Sequence, residues 1–308
     1  MSKTALLFPG QGSQRVGMGR DLAIAHDVAK RTYQEADDAL GFALSKLCFE
    51  GPEDDLVLTQ HTQPAILTTS IAVLRCLLER GLRFDVVAGH SLGEWSALVA
   101  AGAIPLRDAV RLTHLRGQFM QEAVPVGQGA MAAVMGLAVD KLREVCAACS
   151  APGEPVEPAN YNGGGQIVIS GHTNAIDRAV PAAKAAGAKL VKKLAVSAPF
   201  HCSLMKPAQE RLAAAMEGLA IARPSVPVIA NVTAEPTTDP ARIHELLVRQ
   251  VTSPVRWEES IQAIARSGVT RAYELGSGAV LKGLVKRIAD TIETTTIGEP
   301  HEVAAFTA

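Results

Sequence analysis

The sequence has no excess of either charge. Thirty lysines and arginines stand against 31 aspartates and glutamates, a formal net charge of −1 over 308 residues, and the pI is about 6.7. The global basicity that draws a chain to nucleic acid or to an anionic membrane is missing, so neither partner is expected. No apolar run approaches the ~18 residues of a membrane span. Met1 to Phe8 lacks a charged n-region, a long apolar stretch and a cleavage site, so no signal peptide is expected. Cysteine is scarce: Cys48, Cys76, Cys146, Cys149 and Cys202 do not look like a disulfide framework, and a reducing cytoplasm is the simple reading. Cys146 and Cys149 form a lone C-x-x-C; without a second pair, no zinc site is expected. Repeats and low-complexity segments are absent. What remains is an ordinary globular composition, 48% hydrophobic and 20% charged, long enough for one large domain or two smaller ones.

Hydrophobic periodicity orders the chain. Thr4 to Phe8 is a short apolar run ending at Pro9-Gly10, a buried strand followed by a loop. Helical patterns follow through about Phe49, and a further helix covers roughly Gln63 to Arg80. Asp85 to Ala88 reads as a strand, Gly89 to Gly93 as a tight turn, Glu94 to Ala101 and Leu106 to about Val124 as helices. Strands alternating with helices predict a parallel sheet with covered faces. From Gly129 the order becomes β-α-β-β-α-β, a ferredoxin-like unit ending near Val196. After Ser197 the alternation resumes, with helices over Leu204–Leu219, Ala241–Val248, Glu258–Ser267 and Val280–Ala289 between strands at Val228, Ala272 and Thr294. The expected organisation is a discontinuous large unit, residues 1–127 with 197–308, into which a small unit, residues 128–196, is inserted. The tail after Pro300 is expected to be loosely held.

Val86-Val87-Ala88-Gly89-His90-Ser91-Leu92-Gly93-Glu94 fits G-x-S-x-G between a strand and a helix. A serine on such a sharp turn projects its Oγ into a cleft. The two glycines let strand and helix approach, and the helix N-terminus supplies N–H donors and a positive dipole end. The N–H of Leu92 would face a developing oxyanion; the bland reading is a helix-capping serine. Glu94, in the first helical turn, reads as a hydrogen-bonding group. Phe8-Pro9-Gly10-Gln11-Gly12-Ser13-Gln14 is neither a dinucleotide fingerprint, since Arg15 stands where a glycine is needed, nor a P-loop, since no Gly-Lys-Ser/Thr follows. With glycines on both sides, the backbone of Gln11 can turn its N–H inward as a second oxyanion donor; the alternative is an ordinary flexible turn.

Eight histidines compete for the base. His201 lies in Ser197-Ala198-Pro199-Phe200-His201-Cys202, a stiff segment before a helix at the domain junction. His301, after the last strand, is its rival. Cys202 beside His201 reads as packing rather than as a thiol nucleophile. In the helix from Leu106 to Val124, one face carries Leu106, Ala109, Val110, Leu112, Thr113, Gly117, Phe119, Met120 and Ala123, and Arg116 falls in its middle. A buried arginine needs a partner: a structural ion pair or an anionic ligand. A substrate carboxylate would suit the guanidinium fork.

Taken together, Phe8–Gln14, Thr62-Gln63-Pro64-Ala65, Gly89–Glu94, Arg116-Gly117, Tyr161-Asn162, His201-Cys202-Ser203-Leu204-Met205 and Gln250-Val251-Thr252-Ser253-Pro254-Val255-Arg256-Trp257 resemble the malonyl-CoA:acyl carrier protein transacylases of fatty-acid synthesis and the acyltransferase domains of polyketide synthases. The resemblance spans nearly the whole chain. It implies an α/β-hydrolase-like core with a parallel sheet and an inserted ferredoxin-like subdomain. It implies Ser91 as the acylated nucleophile, His201 as base, and the Gln11 and Leu92 amides as oxyanion hole. The backbone carbonyl of Gln250 would orient the histidine, and Arg116 would hold the malonyl carboxylate, with Gln63 and Phe200 also at the substrate. Malonyl-CoA and an acyl carrier protein are the implied partners, a coenzyme A thioester being substrate; no bound cofactor or metal is implied, and a monomer is expected. Carrier proteins are typically acidic, so Lys192, Lys193, Lys282, Lys286 and Arg287 are candidates for a basic patch beside the cleft. Three departures stand out: Trp95 where the family usually has Tyr, Ser277 in place of a common Pro, and Phe200 where several relatives carry Ser. In related synthase domains a bulky residue there goes with malonyl rather than methylmalonyl. Two alternatives stay open: a serine hydrolase or thioesterase with His301 as base, and a non-catalytic carrier-docking module.

Overall fold

The computed structural model describes residues 3–196 and 198–308. Met1, Ser2 and Ser197, the last being the expected point of return to the larger unit, lie outside the described residues. The chain opens with β1 (Lys3–Phe8), followed by α1 (Arg20–Ala25), α2 (Asp27–Leu40), α3 (Leu44–Glu50), α4 (Glu53–Leu56) and α5 (Thr59–Glu79). Next come β2 (Val86–Gly89), α6 (Gly93–Ala100) and α7 (Leu106–Glu122). A second group of elements follows: β3 (Gly129–Met135), α8 (Val139–Cys149), β4 (Val156–Gly163), β5 (Gln166–His172), α9 (Thr173–Ala185) and β6 (Leu190–Lys193). The remainder is α10 (Lys206–Ala215), β7 (Val228–Ile229), β8 (Pro236–Thr237), α11 (Pro240–Gln250), α12 (Trp257–Arg266), β9 (Val269–Leu275), α13 (Val280–Ile288), β10 (Glu293–Ile297) and α14 (Pro300–Ala305).

Six strands form one sheet in the order β10-β9-β1-β2-β7-β8, parallel from β10 to β7 with β8 antiparallel at the edge. Its centre is buried on both faces, as a parallel sheet requires. Side chains alternate across β1: Leu6 and Phe8 enter one core with α5 and α7, while Ala5 and Leu7 enter another with Trp257, Ile261 and Leu281. Phe8 lies opposite Gly89 in the β1–β2 register. That pairing sets the loop after β1 beside the turn after β2. The other sheet is antiparallel, in the order β4-β5-β3-β6, with α8 and α9 packed on it around Ile169, Val134 and Ile176. It meets the rest of the chain where the Tyr161 N–H donates to the Val255 carbonyl at 2.9 Å.

Three features differ from the sequence reading. α5 begins at Thr59, four residues earlier than expected, and runs through Pro64. The proline leaves the Gln60 carbonyl without its helical donor, and His114 Nδ1 meets that oxygen at 2.8 Å. The single helix expected over Leu204–Leu219 is instead a 3₁₀ turn, Ser203–Met205, followed by the shorter α10, whose start carries Pro207. The tail after Pro300 is not loose. It forms α14, closed by a reciprocal capping box between Glu299 and Glu302, with Val303 buried and Phe306 edge-on to Tyr273 at 5.5 Å between ring centroids.

Glu302 Oε2 accepts from the Gly298 and Glu299 amides at 2.7 and 2.9 Å. Glu302→Ala is therefore expected to destabilise the protein by about 1 kcal/mol. Urea titration reads this as a lower midpoint at unchanged m-value. A midpoint equal to that of the wild type would show that the cap is not holding the tail.

Candidate active site

Ser91 occupies the turn between β2 and α6 with φ of +52°, a left-handed conformation that costs a non-glycine residue of order 1–3 kcal/mol. The glycines around it have no room for a side chain. A Cβ on Gly89 would stand 1.9 Å from the Gly93 backbone, and one on Gly93 would stand 2.1 Å from the Phe8 carbonyl. The amide of Asn231, just beyond β7, spans the turn. Its Oδ1 accepts from the Ser91 N–H and its Nδ2 donates to the Gly89 carbonyl, both at 2.7 Å. Glu94 Oε2 accepts from the Asn231 N–H at 3.0 Å and from Gln250 Nε2 at 2.7 Å, and burial pushes the Glu94 carboxyl up to about 7. Sequence reasoning assigned Glu94 as a hydrogen-bonding group but passed over Asn231. The one available signal was a polar residue at the carboxyl end of a buried parallel strand.

His201 also has positive φ, +61°. Its Nε2 lies 2.7 Å from Ser91 Oγ and its Nδ1 lies 2.9 Å from the Gln250 carbonyl oxygen. A carbonyl only accepts, so Nδ1 carries the hydrogen and Nε2 presents a lone pair to the serine hydroxyl. Gln250 is the last residue of α11, where a carbonyl has no intrahelical partner; it receives one further bond, 3.4 Å from the Ser253 N–H. Burial first, and the Arg116 charge second, push the imidazole down to about 3. The rival His301 is not brought to Ser91: it is exposed on α14 and lines a separate cavity of about 460 Å³ with Tyr273 and Lys282.

Arg116 is 1% exposed. Gly117 lets α7 press against α5, for a Cβ there would lie 2.4 Å from the Thr59 carbonyl. The guanidinium thus reaches Gln63. One terminal nitrogen donates to Gln63 Oε1 at 2.7 Å; the other donates to Gln250 Oε1 at 3.0 Å and to Ser91 Oγ at 3.3 Å. Nε has no partner among the described residues, and no carboxylate among them lies within 4.0 Å of the guanidinium. Burial lowers the group to about 10, countered by Glu94, so it stays cationic near neutral pH. Of the two readings that the sequence left open, a structural ion pair is not what the described residues form.

These side chains meet at a cavity of about 150 Å³ lined by Gln11, Gln63, Ser91, Leu92, Arg116, Phe200 and His201; Gln250 sits buried behind them. The acyl transferase domain family matches residues 5–299. The malonyl CoA-acyl carrier protein transacylase of Salmonella typhimurium is 47% identical over 306 residues, 99% of each chain. That of Bacillus subtilis is 49% identical over 303 residues, 98% of this chain and 96% of the other. The chain belongs to the malonyl CoA-acyl carrier protein transacylase family. Among solved structures, an acyl carrier protein S-malonyltransferase from Vibrio cholerae superposes with a TM-score of 0.96 at 46% identity, covering 99% of both chains. A malonyl-transacylase captured with a type II PKS acyl-carrier protein gives 0.95 at 45% identity over 98% of both.

For a transacylase of this family the cavity wall holds further residues that sequence reasoning did not single out: Met120, Met131, Asn160, Leu194 and Val196. Four of the five are apolar positions of ordinary helical or strand patterns, indistinguishable by period from core. Neither the Gln11 nor the Leu92 amide has an acceptor among the described residues. The Cys202 thiol is buried against the Pro199 carbonyl and pushed up to about 11 by burial, which leaves it protonated. Among the described residues no three His, Cys, Asp or Glu side chains are grouped to hold a metal, and no helix is long and apolar enough to cross a membrane.

A histidine whose folded value is depressed binds fewer protons than in the unfolded chain. Its contribution to stability is therefore lost as pH falls from about 6.5 towards about 3. Nitrogen-15 NMR of the imidazole should find His201 neutral at about pH 5, and Arg116→Met, which removes the second cause, should raise its titration midpoint. Ordinary titration near 6.5 in the wild type would contradict this electrostatic account.

Proposed function

We propose that this protein moves a malonyl group from malonyl-CoA to the phosphopantetheine thiol of an acyl carrier protein through an ester on Ser91. The observation that carries the reading is a buried guanidinium that donates to two neutral glutamine amide oxygens and, at 3.3 Å, to the Ser91 hydroxyl, with no carboxylate within 4.0 Å among the described residues. A cation so placed is matched by the free carboxylate of a short diacid. A neutral acyl group would leave it without a counter-charge, which costs about 3–5 kcal/mol when buried.

The steps follow from the hydrogen bonds. His201 Nε2 takes the Ser91 proton as Oγ attacks the thioester carbon. The Gln11 and Leu92 N–H groups receive the oxyanion. The imidazolium, held by the Gln250 carbonyl, returns the proton to the departing coenzyme A thiol. The carrier thiol then gives its proton to His201 and attacks the ester, and Ser91 leaves with that proton. Gln250 is a neutral partner: it selects the tautomer without adding the negative charge that would stabilise an imidazolium.

In this reading the parallel sheet and its helices form an α/β-hydrolase-like unit, residues 1–127 with 197–308, and residues 128–196 form a ferredoxin-like unit that walls the cleft through Leu194 and Met131. The acidic carrier protein meets α13, whose Lys282, Lys286 and Arg287 are exposed. The first residues of α13 share a cavity with Gln11 and His90. Lys193 is tied to Asp177 and contributes less.

Intact-mass measurement after mixing with malonyl-CoA should show one malonyl adduct on the wild type and on His301→Ala, and none on Ser91→Ala. His201→Ala should acylate far more slowly. Arg116→Met should lose kcat/KM for malonyl-CoA on the order of 10³-fold, or about 4 kcal/mol, with no loss for acetyl-CoA; an equal loss for both thioesters would refute the carboxylate role. Phe200 lines the cavity, where its ring would crowd a branched α-carbon. The wild type should favour malonyl-CoA over methylmalonyl-CoA, and Phe200→Ser should cut that preference roughly tenfold, the scale set by one methyl group in a pocket. Equal kcat/KM for both substrates in the wild type would remove Phe200 from the specificity argument.

A further inference from the structure

Two of the three non-glycine residues with positive φ among the described residues are Ser91 and His201, and one side chain bridges the nucleophile's turn from end to end. Asn231 accepts from the Ser91 N–H and donates to the Gly89 carbonyl, both at 2.7 Å. Its own backbone N–H donates to Glu94 at 3.0 Å, and Glu94 holds Gln250 Nε2 at 2.7 Å. The Gln250 amide nitrogen also donates to the Ser91 carbonyl at 3.0 Å, while its backbone carbonyl holds His201. The Ser91 carbonyl thus meets Gln250 directly, while the Ser91 N–H and the Gly89 carbonyl meet Asn231, which Glu94 and Gln250 in turn hold.

We infer that Asn231 is a positioning residue for acyl transfer: its side-chain amide holds the turn so that Ser91 Oγ faces His201 and the Ser91 N–H is withdrawn, leaving the oxyanion to the Leu92 and Gln11 amides. The role needs both halves of the amide. Oδ1 must accept from residue 91 while Nδ2 donates to residue 89. An aspartate at this position reproduces both contacts only when protonated; ionised, it sets a second acceptor against the Gly89 carbonyl. The charged and titratable groups around the position are His90 within the turn, whose Nε2 lies 2.9 Å from Asn162 Oδ1, Glu94 on α6, His201 at the junction, Arg116 on α7 and Arg256, whose side chain donates to the Thr233 carbonyl at 3.1 Å. Comparing variant with wild type at each pH removes their common titration.

The inference rests on Ser91 being the nucleophile, and the test separates the two claims. The single-turnover rate of Ser91 malonylation from saturating malonyl-CoA is followed by mass spectrometry for wild type, Asn231→Ala and Asn231→Asp, each first shown to be folded by its thermal melt. Asn231→Ala should acylate about 10²-fold more slowly, the scale of a slightly misplaced reacting group, with the half-saturating malonyl-CoA concentration little changed. The rate of Asn231→Asp relative to wild type should rise at least tenfold from about pH 8 to about pH 6, as its carboxyl regains the proton. A folded Asn231→Ala at the wild-type rate, or an Asn231→Asp ratio that does not vary with pH, overturns the positioning role. Absence of any adduct on wild-type Ser91 would instead overturn the nucleophile assignment beneath it.

Discussion

The guanidinium of Arg116 lies inside the protein with two glutamine amides as its protein acceptors besides the serine hydroxyl, and the surrounding architecture is arranged to hold a charge there. Removing a cation from water is costly unless it is well hydrogen-bonded. Gln63 on α5 and Gln250 at the end of α11 supply those bonds without cancelling the charge. The close contact at Gly117 sets α7 against α5 so that the fork reaches Gln63. Among the described residues the guanidinium therefore keeps its charge beside Ser91 with no carboxylate within 4.0 Å, which is the feature that the proposed preference for an anionic acyl group rests on.

The same charge shapes the acid–base chemistry. It adds to burial in depressing His201, which stays neutral over the ordinary pH range. Burial acts in the opposite sense on Glu94, raising it to about 7. Gln250 joins these groups. Its carbonyl holds the base, its Oε1 the cation, and its Nε2 the Ser91 carbonyl and Glu94. One residue at a helix terminus therefore connects Ser91, His201 and Arg116, the last two buried and Ser91 half-buried.

Much of the fold was legible because it rests on local pattern. The four buried residues Ala5 to Phe8 and the Gly89–Gly93 turn announce a strand–loop and a strand–turn–helix. The βαββαβ order from Gly129 is visible in periodicity alone. Errors gathered where local rules meet tertiary compensation. Pro64 reads as a helix start until His114, from another helix, satisfies the carbonyl that the proline orphans. The tail reads as loose because its helix is shorter than periodicity detects, and its order comes from a capping box and from packing of Val303 and Phe306.

Within the site, the sequence by itself determined the chemistry carried by short segments: a serine forced into a strained turn by glycines that admit no side chain, a glycine-flanked loop at the neighbouring strand's end, and an arginine set in an apolar helical face. Those follow from steric limits and helical period, which act over a few residues. Only the tertiary structure decided that residues 91, 116, 201 and 250 meet, that Asn231 clamps the turn from 140 positions away, and that His301 faces a different cavity. Periodicity tells which faces are buried; which buried faces touch one another is settled by packing of the whole chain.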